Sequence, residues 1–203
     1  MANRVKDPIS VSIIGGSGYT GAELIRLVSK HPHFQLNQVV ANRNADKKIQ
    51  DIFPHLRHLN LPDFINFDQM DFHNVDLIFC ALPHATSQEI IIKIPEGKKI
   101  IDLSADFRLE SIEEYEKWYG TKHIASFLQK KAVYGLTEIY REKIKKGSLI
   151  ACTGCNSAAT LYPVLPLLIE GIINCDNLTI NLGRSEEHTS ELQSLTNLVC
   201  RLL

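Results

Sequence analysis

The chain has 203 residues, 44% of them hydrophobic, with 22 Lys and Arg against 23 Asp and Glu for a formal charge of −1. That apolar content is enough to bury a real core, either in one large domain or in one domain plus part of another. The balanced charge excludes a general electrostatic pull toward nucleic acid or an anionic membrane, so the expected partner is a small molecule.

The opening MANRVKDPIS has neither an apolar signal core nor an Arg- and Ser-rich presequence, and no apolar run reaches membrane-spanning length, so a cytoplasmic setting is expected. Ile9 to Ile14 reads as a short strand that meets the glycine cluster Gly15, Gly16, Gly18 and Gly21. Ala22 to Lys30 then has helical apolar spacing. Phe34 to Ala41 is a second strand candidate, which completes a βαβ unit of parallel-crossover length. Gly15, Gly18 and Gly21 form a G-x-x-G-x-x-G variant between that strand and helix, where backbone N–H groups and the positive helix end can meet a pyrophosphate. The alternative is that these glycines serve only tight turning and packing.

The end of the second strand selects the cofactor. A carboxylate there would bond the ribose of NAD, whereas a cation would hold the extra phosphate of NADP. The residues are Asn42, Arg43 and Asn44, so a planar guanidinium is flanked by two amide donors and NADP is the expected cofactor. A solvated surface charge is the other reading of Arg43.

Val75 to Leu82 is a continuous apolar run, as suits a strand covered on both faces, and Lys99 to Leu103 repeats the pattern after a helical stretch from Ala85 to Ile94. Leu149 to Cys152 predicts one more strand, leading to a turn at Gly154 and a helix from Ser157 to Gly171 that Pro163 and Pro166 can kink. The fold class is therefore α/β: a Rossmann-type doubly wound parallel sheet followed by the start of a second α/β domain. The expected boundaries are a cofactor domain over 1–154 and the beginning of a catalytic domain over 155–183. Residues 184–203 are set apart. RSEEHTSELQS, from Arg184 to Ser194, resembles the in-frame translation of a sequencing-library adapter, and the LTNLVCRLL after it is unrelated to what precedes it. A genuine polar helix capped near Ser185 is the alternative.

The five cysteines, Cys80, Cys152, Cys155, Cys175 and Cys200, are odd in number and scattered, which suits reduced thiols. Cys155, in ACTGCNSAAT, falls where a strand, a glycine turn and a helix N-terminus meet. Such a terminus stabilises a thiolate through unpaired N–H groups and the helix dipole, so Cys155 is the candidate nucleophile. Cys80 in LIFCAL reads as a small buried hydrophobe. The spacing of Cys152 from Cys155 also suits half a zinc site or a redox pair, but no second CxxC or paired-histidine motif accompanies it, and no metal is expected.

Several separated motifs now agree: IIGGSGYTGAEL, IFPHL at Ile52 to Leu56, ALPHATS at Ala81 to Ser87, DLSADFRL at Asp102 to Leu109, WYGTKH at Trp118 to His123, YGLTEI at Tyr134 to Ile139, and TGCNSAAT. Together and in this order they resemble the N-acetyl-gamma-glutamyl-phosphate reductase family, over essentially the whole chain to about residue 182. The resemblance implies NADPH-dependent reduction of an acyl phosphate to a semialdehyde, a step of arginine biosynthesis, by a homo-oligomeric enzyme. By matched position, Ser17, Gly18, Tyr19, Thr20 and Arg43 would contact NADP and Cys155 would form a thioester. Ser104, Arg108 and His84 would either line the cleft or brace its loops.

Two departures qualify the resemblance. The commonest family version surrounds the nucleophile with an Asn-Pro-Gly-Cys-Tyr-Pro run, where this chain has Cys152-Thr153-Gly154-Cys155-Asn156-Ser157. Cysteine followed by asparagine and small residues also resembles the related reductases of lysine biosynthesis, which act on a carrier-bound aminoadipyl phosphate. In addition, the family's general acid/base histidine and substrate loop would lie beyond Leu182, so none of the chain's histidines is assigned that role. The chain alone is then expected to be aggregation-prone, without turnover, and at most an NADP-binding fragment. Aspartate-semialdehyde dehydrogenase shares the chemistry, but SGYTG, DLSADFR and TGCNSAAT argue against it.

Overall fold

The computed structural model describes residues 8–176 and 178–182. The tail over 184–203, including Cys200, lies outside the described residues.

β1 (Ile9–Ile14), α1 (Tyr19–Ser29) and β2 (Phe34–Val40) form the first parallel crossover, with Ile14 registered against Val40. β1 has the alternation of a strand covered on both faces. Val11 and Ile13 join the core under α1 with Ile25 and Val28, whereas Ile14 joins the opposite core with Ile78, Cys80 and Ile100. α2 (Ile49–Ile52) leads to β3 (Phe64–Ile65), which extends the sheet beyond β2. The chain then crosses to the other side of β1. β4 (Leu77–Cys80), α3 (Thr86–Ile91) and β5 (Lys99–Asp102) follow, then α4 (Ile112–Tyr119), α5 (Ser126–Gln129), β6 (Ala132–Tyr134), α6 (Thr137–Lys146), β7 (Leu149–Ala151) and α7 (Cys155–Ile169). The seven strands stand in the order β3-β2-β1-β4-β5-β7-β6, and every neighbouring pair is parallel.

This is the doubly wound Rossmann-type sheet expected of the sequence. Its direction of winding reverses between β1 and β4, and ligands of open α/β sheets bind at such a point, outside the carboxyl ends of the strands. The short strands β3 and β6 carry too few residues to show a period, and the sequence reading passes over both. α1 begins earlier than the apolar spacing indicates, at Tyr19, because its first turn is polar and its buried stripe starts at Gly21 and Ala22. α7 runs from Cys155 through Pro163 and Pro166 to Ile169, and packs Leu161 and Leu165 against Leu136, Tyr134 and Tyr140. No helix among the described residues is long and apolar enough to cross a membrane.

Candidate active site

A cavity of about 940 Å³ opens along the carboxyl ends of β1, β2, β4, β5 and β7. Its wall includes Gly15, Ser17, Gly18 and Thr20 from the first turn, Asn42 and Arg43 after β2, and Leu82, Pro83 and Thr86 after β4. Arg108 follows β5, and Cys152 to Asn156 follow β7. The glycine turn and the candidate nucleophile, far apart in sequence, therefore face one space. Of the expected cofactor residues, Tyr19 and Gly21 stand outside this wall: Tyr19 is 96% exposed, and Gly21 is buried where α1 meets the Gly15 and Gly16 backbone.

The turn is built for close approach. Gly15 has φ +84, and a Cβ there would come within 2.3 Å of the Ala81 carbonyl oxygen on the neighbouring strand end. The amides of Gly15 and Gly16 both donate to Val40 O, at 3.0 and 2.9 Å, so they lock the turn to β2 and are not free for a phosphate. The donors that remain belong to the start of α1, where no side chain caps the helix and no acidic residue occupies the first turn. An uncapped positive helix end bordering a glycine turn fits a pyrophosphate.

Arg43 sits in a 3-10 turn, Asn42–Asn44, and makes no ion pair among the described residues, so its fork is available to an anion in the cavity. Asn42 uses its side-chain oxygen on the Phe67 amide, 3.1 Å away. Asn44 accepts from Lys47 Nζ at 3.1 Å and is not part of the wall.

Cys155 is the first residue of α7, is exposed, and lies in the wall. Its thiol is oriented toward Asn156 Oδ1, 3.8 Å away. Gly154 is the N-cap, and no side chain caps the helix, which leaves the helix N-terminus open beside the thiol. Cys152 is half-buried, and burial pushes its thiol up against a smaller opposing pull from Arg108. Cys80 is fully buried and its thiol is pushed well up. Among the described residues no group of three or more His, Cys, Asp or Glu is placed to hold a metal ion.

Residues 10–147 match the family described as Semialdehyde dehydrogenase, NAD binding domain. The chain belongs to that family. An N-acetyl-gamma-glutamyl-phosphate reductase from Rhodobacter capsulatus is 51% identical over 172 residues, which covers 85% of this chain and 50% of that protein. A probable chloroplastic N-acetyl-gamma-glutamyl-phosphate reductase from Arabidopsis thaliana is 50% identical over 173 residues, covering 85% of this chain and 43% of that protein. The chain thus spans about half the length, or less, of the curated relatives it matches. In the crystal structure of aspartate semialdehyde dehydrogenase with NADP from Candida albicans the same fold recurs, with a TM-score of 0.56 at 19% identity over 81% of this chain and 48% of that one.

In this semialdehyde dehydrogenase-family domain the DLSADFR segment mostly braces the site from behind. Asp102, fully buried, accepts from the hydroxyls of Ser87 and Ser104, each at 2.6 Å. Desolvation raises its carboxyl above the ordinary range, against the hydrogen bonds from Ser104 and Ser87 that pull it down. Asp106 accepts from Ala85 N at 2.8 Å, Gln88 N at 3.1 Å and the Tyr115 hydroxyl at 2.7 Å. It thereby holds Ala85 at φ 67, a strained conformation for alanine, at the mouth of the loop that lines the cavity. Ser104 is therefore a bracing residue. His84 lies against the Tyr119 ring with centroids 5.7 Å apart and stands outside the wall, whereas Arg108 belongs to it. Sequence reasoning missed Phe67, Thr86, Thr153 and Asn156 as wall residues. Thr153 and Asn156 lie within a motif already singled out and were within reach; Phe67 follows a two-residue strand and had no local signal.

Proposed function

We propose that a protein carrying this chain reduces N-acetyl-gamma-glutamyl phosphate to N-acetylglutamate semialdehyde with NADPH, releasing phosphate, through a thioester on Cys155. One observation carries the reading: the exposed thiol at the start of α7 lines the same cavity as the glycine turn and Arg43. The names of relatives at about half identity support this acyl phosphate over a carrier-bound aminoadipyl phosphate.

The α1 N-terminus, Ser17, Gly18 and Thr20 would hold the cofactor pyrophosphate, and Arg43 the additional phosphate that distinguishes NADP from NAD. NADPH, when bound, supplies hydride to the acyl carbon. The chain's own chemistry begins at Cys155, whose thiolate attacks the acyl-phosphate carbonyl. The carbon–oxygen bond to phosphate breaks, phosphate leaves with its electron pair, and the acyl group stays on sulfur. After reduction, collapse of the thiohemiacetal expels the thiolate and frees the aldehyde. Arg108, a residue of the wall, offers positive charge to the departing phosphate. Residues 1–154 form the cofactor domain in this reading. A catalytic domain begins at Cys155, the first residue after β7 and its turn.

The test is loss of NADPH absorbance on addition of N-acetyl-gamma-glutamyl phosphate to the complete protein, run beside the aminoadipyl substrate. Turnover of the acetylglutamyl substrate, abolished by Cys155→Ser, is expected. Turnover of the aminoadipyl substrate alone would replace the assignment. For the chain by itself the expected result is NADP binding without turnover.

A further inference from the structure

We propose that the hydroxyls of Tyr134 and Thr153 form a clasp that positions the turn presenting Cys155. The inference rests on the reading of Cys155 as nucleophile and concerns how this chain orients it. Tyr134 ends β6, and its hydroxyl lies 2.7 Å from Thr153 Oγ1. Thr153 is the single residue between Cys152 and the N-cap Gly154, and it lines the cavity.

Both sides of this short turn are anchored. On the strand side, Cys152 N donates to Asp102 O at 2.7 Å and Cys152 O accepts from Arg108 Nε at 2.8 Å. Gly135, next to Tyr134, donates to Ala151 O at 2.7 Å. It runs so close that a Cβ there would stand 2.9 Å from Ala151 O and 3.0 Å from Cys152 Cα. Tyr134 is therefore delivered to the turn by a strand end held closely against Ala151 and Cys152. On the helix side, Glu138 of α6 accepts a hydrogen bond from Tyr162 of α7, and Leu136 packs with Leu161 and Leu165.

Between these anchors lies the Thr153-Gly154 step. α7 has no side-chain cap, so the direction in which its first residue points depends on that backbone. Thr153 is β-branched, and fixing its hydroxyl fixes its one side-chain torsion against the local backbone. Neither hydroxyl is needed to react. Both are positioning groups for the thiol.

The experiment measures the second-order rate of iodoacetamide alkylation at Cys155, by peptide mass spectrometry, alongside melting curves. The variants are Thr153→Val, Tyr134→Phe, the double variant, and Thr153→Ser, which keeps a hydroxyl. Each single loss of a hydroxyl is expected to slow alkylation by about two- to tenfold, the factor equivalent to one hydrogen bond of ordinary net strength. The double variant should be no slower than either single one, and Thr153→Ser should react like the parent chain. Unchanged rates, losses that multiply in the double variant, or a Thr153→Ser as slow as Thr153→Val would each overturn the clasp. So would a rate lost only together with cooperative melting, which marks a structural role. If Cys155 of the parent chain does not react faster than Cys80, Cys152 and Cys175, the nucleophile assignment fails instead, and that result is distinct from all of the others.

Discussion

Arg108 and Cys152 are joined across the site: the guanidinium donates from Nε to the Cys152 carbonyl at 2.8 Å and from Nη2 to Leu103 O at 2.8 Å. One side chain thus ties the loop after β5 to the turn before the nucleophile, and the same residue lines the cavity. Arg108→Met keeps most of the stem but deletes both bonds. It should cost about 1–3 kcal/mol of unfolding free energy in urea titrations, the range for charge-assisted bonds to partly buried carbonyls. Arg108→Lys should not restore the loss, because an ammonium cannot reproduce the two-pronged geometry.

The thiols should separate by access. Cys155 is exposed, Cys152 is half-buried with its thiol pushed up by burial, and Cys80 is fully buried. Peptide mapping after brief iodoacetamide treatment should find label at Cys155 first and at Cys152 later. Cys80 should react only at the rate at which the protein opens. Early label at Cys80 would contradict the packing of β4.

Cofactor choice is predicted to reside in Arg43. Arg43→Met should weaken NADP binding to this chain by about tenfold or more, the scale of a charge-assisted phosphate contact, and leave NAD binding nearly unchanged. Calorimetric titration with both dinucleotides checks it. An equal loss for both would mean that Arg43 shapes the loop and does not select the phosphate.

Asp102 gives a pH signature. Burial raises its folded-state value, with hydrogen bonds from Ser104 and Ser87 opposing the rise and the neighbouring Asp106 charge adding to it. The folded chain therefore holds this proton more tightly than the unfolded chain does. The associated stability is fully present below the unfolded value of about 3.9 and is lost as pH rises through the folded one. Asp102→Asn removes the titration. The stability of the parent chain minus that of the variant should fall with rising pH across that window, as read from urea midpoints, and a difference that rises with pH would show the opposite sign of shift.

What was legible in the sequence was local. Ile9 to Ile14, the glycines after it and the apolar stripe of α1 announce a strand, a turn and a helix because each signal lies within a few residues of the next. Cys155 could be chosen among the cysteines for the same reason: the glycine and the helix start that set its surroundings are its chain neighbours. The helix read over Ser157 to Gly171 is present as α7, which continues through Pro163 and Pro166 although both weaken its local signal. Local propensity is outweighed there by the packing of Leu161 and Leu165.

The sequence by itself therefore determined the fold class, the glycine turn and the identity of the candidate thiol. Only the tertiary structure decided that the turn and the thiol share a cavity, that the Gly15 and Gly16 amides are already spent on Val40, and that Ser104 braces while Arg108 faces the cavity. It also decided that Tyr134 reaches Thr153. The physical reason is the same in each case. A hydrogen bond between distant segments leaves no periodicity and no spacing to read, and it comes into being only when a parallel sheet brings the carboxyl ends of its strands to one edge.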